Sequence, residues 1–148
     1  MQRILLLLLF VMQLSFSISG WANIGSSPAL DQLGRIVFVR ASTLDDANDE
    51  LVVRNATNPS SSADLFSLEL NGHAFSSPVV DVDNNIYIGT LGSQENVALG
   101  GSADATFYKL DASLNTLWQY NAGSPIYSTP ALSPFSSGQN GQLFFGTK

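Results

Sequence analysis

Ser76-Ser77-Pro78-Val79-Val80-Asp81-Val82-Asp83-Asn84-Asn85-Ile86-Tyr87-Ile88-Gly89-Thr90 decides the fold, because the chain carries related versions of it three times. Ser26 to Arg40 lies on it without a gap, matching Ser-Ser-Pro, Asp31 with Asp81 and Ile36 with Ile86. A third copy opens at Ser128-Thr129-Pro130 and rejoins at Leu143-Phe144-Phe145-Gly146-Thr147 after a longer turn. Leu65 to Pro78 likewise lies on Leu117 to Pro130, with Phe66 on Trp118 and Phe75 on Tyr127. A repeat of about fifty residues with variable loops therefore organises the chain.

Within a unit the apolar residues fall in short β-branched and aromatic runs, each cut off by Gly, Asn, Asp, Ser or Pro, the pattern of strands rather than helices. The second unit predicts four, designated A to D in order: Phe75 to Asp81, Asn85 to Thr90, Thr106 to Asp111 and Thr116 to Asn121. The first unit predicts Pro28 to Asp31, Ile36 to Arg40, Leu51 to Asn55 and Asp64 to Leu70, and the third breaks off after its second strand. Asp83-Asn84-Asn85 and Ala112 to Asn115 supply the turns.

Four antiparallel strands recurring at this period are the signature of a β-propeller blade. The expected fold is all-β: a signal peptide over 1–22, then a partial propeller over 23–148, with blades at about 24–72 and 73–124 and a partial one at about 125–148. Proline cannot donate to a sheet ladder, so it suits the start of the innermost strand, an edge facing the central channel. Closed propellers contain four to eight blades, and two and a half leave unpaired faces and an open edge after Thr147. This favours a fragment or truncated gene product over self-assembly into a ring.

The ordered series Ser76-Ser77-Pro78-Val79-Val80-Asp81, Ile86-Tyr87-Ile88-Gly89-Thr90, Phe107-Tyr108-Lys109-Leu110-Asp111 and Leu117-Trp118-Gln119-Tyr120 resembles one repeat of the quinoprotein-like, or PQQ-like, propellers. The resemblance covers residues 24–148 and implies either a quinone-dependent dehydrogenase or a cofactor-free relative of the kind that assembles outer membranes. The dehydrogenases carry a blade-locking Ala-x-Asp, Thr-Gly-Lys and Trp; Asp111 and Trp118 are present here, but Thr-Gly-Lys is not. Nor is there any cysteine to form the disulfide those enzymes place over the quinone. The resemblance carries Trp118 over as an inter-blade packing residue and assigns no catalytic, cofactor-binding or metal residue and no cofactor.

Arg3, the apolar run Ile4 to Met12 and the small residues Gly20 and Ala22 read as a secretory signal peptide cleaved near Ala22. The run is shorter than the roughly 20 residues a spanning helix needs, so no stable membrane anchor is expected, and the expected location is periplasmic or secreted. With no cysteine, stability has to come from packing rather than disulfides, and lipid attachment is excluded. The chain is 45% hydrophobic and 12% charged with a formal net charge of −6, which argues against nucleic acid and acidic membranes as partners. The expected partners are a protein or the remaining blades of a longer propeller, and a homo-oligomer stays open.

Other candidate residues read more simply as structure. Asp45, Asp46, Asp49 and Glu50 form an acidic cluster that could hold a cation but fits a solvated loop. Asp81 to Asn85 opens like a calcium loop yet lacks its Gly and distant Glu, and a hairpin turn is expected. His73, the only histidine, falls in a loop, and Asn55-Ala56-Thr57 fits a glycosylation acceptor only in a eukaryotic secretory pathway. No nucleophile elbow, metal-spaced His or Cys set, or phosphate-binding glycine loop occurs. In an antiparallel blade the B-to-C and D-to-A connections share one face, and the long loops Ala41 to Asp49 and Leu91 to Ala103 make that face the place to expect binding.

Overall fold

The computed structural model describes residues 26–42, 48–57, 64–93, 104–133 and 141–148; the predicted signal peptide lies outside them. Among these residues there is no helix. Strands β1 (Ala29–Leu30), β2 (Arg35–Arg40), β3 (Glu50–Asn55) and β4 (Phe66–Glu69) form one antiparallel meander. Strands β5 (Val79–Val80), β6 (Ile86–Gly89), β7 (Thr106–Leu110) and β8 (Thr116–Asn121) form a second, and β9 (Ala131–Leu132) pairs with β10 (Leu143–Phe144) in a third, two-stranded sheet.

The repeat holds at the level of register. Ala29 faces Val37, Val79 faces Tyr87 and Ala131 faces Phe144, three pairs that the sequence alignment superposes. Side-chain bonds repeat as well. Ser76 Oγ accepts from Gly89 N at 3.4 Å, and Ser128 Oγ accepts from Gly146 N at 2.7 Å. Leu91 N donates to His73 O and, one unit on, Lys148 N donates to Pro125 O.

The expected A strands shrink to two residues each. Proline removes the ladder donor just before each strand. At the far end of the first two A strands, a carboxylate takes over. Asp31 Oδ1 accepts the backbone N–H of Leu33 and Arg35, and Asp81 Oδ1 those of Asp83 and Asn85. Asp111 repeats the device between β7 and β8, accepting from Ser113 and Asn115. The fourth turn residue adopts positive φ each time: Gly34 at 72°, Asn84 at 64° and Leu114 at 66°. For leucine that conformation is strained. Leu114 holds it while its side chain is buried in the main core.

Side chains alternate across each strand, so each sheet has two faces. Val37, Val39, Leu51 and Val53 of the first sheet pack against Ile86, Ile88, Tyr108 and Leu110 of the second. The opposite face of the second sheet, with Tyr87 and Phe107, packs with Ile126, Leu132, Leu143 and Phe145 from the third unit. The sheets thus stack face to face in chain order. At the β1 and β5 edges Ser27 N donates to Ser77 Oγ at 2.8 Å, and Gln32 N to Asn84 Oδ1 at 2.8 Å.

The outward face of the first sheet departs from the pattern. Arg54 faces Ile36 where Leu110 faces Ile86. Arg40 Nε donates to Glu50 Oε2 at 2.8 Å and its Nη1 to Asp64 Oδ2 at 2.7 Å. Arg54 pairs with Asp64 Oδ1 and sits 5.5 Å from the Phe38 ring centroid. Hydrogen bonds from Arg54, then Arg40, hold the Asp64 carboxyl below the usual carboxylate range, and the Asn115 side chain does most to lower Asp111. Both folded-state values lie below the unfolded ones, so their stabilisation is present above the unfolded range and lost as pH falls through the folded values. These groups stand close to water, which keeps the effect modest. Asp64→Asn should flatten the dependence of unfolding free energy on pH between about pH 5 and pH 2, measured by urea titration; an unchanged slope would mean that Asp64 is not held by the arginines.

Candidate functional site

The connections β2–β3, β4–β5 and β6–β7 emerge at one end of the stack, as expected for B-to-C and D-to-A connections. Positions 43–47 and 94–103 of the two long loops lie outside the described residues, as do Asp45 and Asp46. What is described there is built around Asp49.

Asp49 is buried, which corrects the expectation of a solvated acidic loop. Its Oδ1 accepts from Ser42 N at 2.9 Å and lies 3.0 Å from His73 Nδ1, and its Oδ2 accepts from Ala74 N at 2.9 Å. The Asp49 backbone joins the same knot, with Asp49 N donating to Gly72 O and Leu70 N to Asp49 O. A buried carboxylate is stable only when its lone pairs are used, and these three partners use them. Glu50, next in sequence, is instead paired to Arg40 on the outward sheet face.

His73 lies in the β4–β5 connection, as expected of a loop residue, but it is half-buried and oriented rather than solvated. A carboxylate on Nδ1 fixes the plane of an imidazole, the arrangement that proton-transfer and ligand-binding histidines share. Here it also ties β4–β5 to β2–β3. Asn71 extends the tie to the second sheet, with Nδ2 donating to Asp104 O at 2.8 Å and its backbone N–H to Tyr108 Oη at 3.3 Å. Among the described residues, no group of three or more His, Asp or Glu side chains is placed to hold a metal ion.

Beside this knot, ahead of β5 and β9, Phe75 and Tyr127 stack with ring centroids 6.2 Å apart and an interplanar angle of 28°. Both are exposed, and they occupy equivalent positions in successive units. An exposed, rigid aromatic pair is a low-entropy contact surface of the kind interfaces favour.

Three sequence readings meet the structure away from this end. Asp81 to Asn85 is the expected hairpin turn: besides the two backbone donors, Asp81 Oδ2 accepts from Asn85 Nδ2 at 2.8 Å and Tyr87 Oη at 3.0 Å. Burial, then the bond to Asp81, raises the Tyr87 phenol well above its ordinary range. Asn55 of the Asn55-Ala56-Thr57 triplet caps its own turn, accepting from Thr57 N and Oγ1. Trp118 lies opposite Lys109, 6.1 Å from the Phe107 ring, on the face of the second sheet that meets the third, and is 40% exposed.

Sequence reading missed the Asp49–His73 contact, although a signal existed. Leu70 N donates to Asp49 O as Ala122 N donates to Ala105 O, so Asp49 stands where the second unit has Ala105. His73 likewise stands where the third unit begins with Pro125. Two departures from the repeat, in contact with each other, mark the place. No protein-family model matches this chain, and no curated protein matches its sequence.

Proposed function

We propose that this chain is a segment of an exported β-propeller of the quinoprotein-like kind, and that it serves as a non-catalytic scaffold that binds a protein or ligand, as in cell-envelope assembly. The carrying observation is the face-to-face stack of four-stranded meanders in one register, with the inner hairpins touching at Ser27 and Ser77. Binding would use the end that carries the Asp49–His73 knot and the Phe75–Tyr127 pair. Loops and exposed aromatics carried on a β scaffold suit recognition.

Two measurements test this. Protein isolated from the cell envelope or medium should begin near Asn23. A photo-crosslinking phenylalanine analogue at Phe75 should give discrete adducts in living cells, and the same group at Val82, exposed on an opposite-end turn, should not. Equal labelling from both ends would remove the binding face. Dye reduction appearing on addition of pyrroloquinoline quinone and calcium would replace the scaffold by a dehydrogenase.

A further inference from the structure

Asn71-Gly72 is one of two Asn-Gly pairs in the chain and lies inside the β4–β5 connection; Asn140 of the other pair lies outside the described residues. Asparagine followed by glycine is the pair most prone to deamidation, because no Cβ shields the glycine nitrogen from the neighbouring side-chain carbonyl carbon. In that reaction the Gly72 nitrogen gives up its proton and attacks Asn71 Cγ. The new N–C bond closes a succinimide ring as the Cγ–Nδ2 bond breaks, and ammonia leaves with the proton. Water then opens either imide C–N bond. Cleavage at Cγ gives aspartate, and cleavage at the original backbone carbonyl gives isoaspartate.

The fold occupies both reacting groups. Gly72 N donates to Asn48 Oδ1 at 2.8 Å, which keeps its proton in place, and Gly72 is buried. Asn71 Nδ2 donates to Asp104 O, and the Asn71 backbone N–H to Tyr108 Oη, so the side chain is tied to the second sheet. Asp49 N donates to Gly72 O and holds the pair from the other side.

The products do not fit where the asparagine does. An aspartate carboxylate would set an acceptor against Asp104 O, where the amide offers a donor. Isoaspartate lengthens the backbone by one carbon beside the bridge between Gly72 and Gly92, where even a Cβ on Gly72 would overlap the Gly92 carbonyl.

We propose that Asn71 is a deamidation site that the closed β4–β5 connection holds off, and that deamidation during a local opening leaves the connection unable to close again. Water is the co-reactant and ammonia the product, so the change runs one way. Openings of a single connection are more frequent than global unfolding, and they set the rate. The same connection carries His73 and Phe75, but the chemistry does not depend on what that end of the stack binds.

Peptide mapping after incubation at mildly alkaline pH reads the loss of asparagine at residue 71, with a synthetic peptide of residues 66–78 as the unfolded reference. The folded protein should react at least about tenfold more slowly than the peptide, because only its open fraction reacts. Asn48→Ala should speed the reaction in the folded protein about tenfold, the effect of one buried N–H losing its acceptor. Asn48→Asp keeps an acceptor oxygen and should recover most of the protection. Equal rates in protein and peptide, or no acceleration in Asn48→Ala, overturn the proposal. If Asn48→Ala does not fold, the unaltered protein in urea below its unfolding transition takes its place: acceleration there supports local opening, and acceleration only within the transition overturns it. In the deamidated fraction the amide of Leu91, which donates to His73 O, should exchange about tenfold faster. Unchanged exchange would show that the connection closes again, against the proposal.

Discussion

Replacing Gly72 with alanine should remove a large share of the protein's folding stability. Gly72 has φ +83°, and a Cβ built on it would overlap the carbonyl oxygen of Gly92, with which Gly72 forms an isolated parallel bridge. Neither side can yield as a flexible side chain would, since both are backbone. The substitution adds left-handed strain to overpacking, each costing about 1–3 kcal/mol, in a protein class stable by about 5–15 kcal/mol. Gly123→Ala is the internal control: φ is +68° there but nothing lies within 4 Å, so only the strain of about 1–2 kcal/mol applies. Thermal unfolding followed by circular dichroism compares the two. Equal melting would mean that the chain does not approach itself at Gly92.

Asp49→Ala should lower stability by about 3 kcal/mol, read as a shift in urea midpoint at constant slope. The loss follows from the donors left behind: Ser42 N, Ala74 N and the His73 ring each lose their acceptor at a largely buried position. Asp49→Asn should recover only part, because its amide nitrogen turns a donor towards donors. If the alanine variant instead lost under about 0.5 kcal/mol, the level of an ordinary surface change, the carboxylate would not hold the connections together.

The strands were legible because their signals are local. β2, β3, β6, β7 and β8 sit within a residue of the runs read from the sequence, since Gly, Asn and Asp interrupt the apolar runs at both ends of β3, β6, β7 and β8 and at the start of β2. The A strands were overread because serine hydroxyls and aspartate carboxylates mimic ladder partners, and composition does not show which backbone groups they take. Leu114 gave no warning at all. Its left-handed turn is fixed by Asp111 and by burial of the leucine in the core, one a side-chain bond and the other a tertiary contact. The Asp49–His73 contact stayed hidden for the same reason, since acidic residues in a loop ordinarily face water.

The two outer faces of the stack are chemically unlike. The first sheet presents arginine–carboxylate pairs, whereas Phe144 of the third is 58% exposed on the other side. A two-fold dimer sets a face against its own copy, whereas a contact between these two unlike faces is heterologous. Copies that join one face to the other stand head to tail, which gives a ring if the rotation closes and an open filament if it does not.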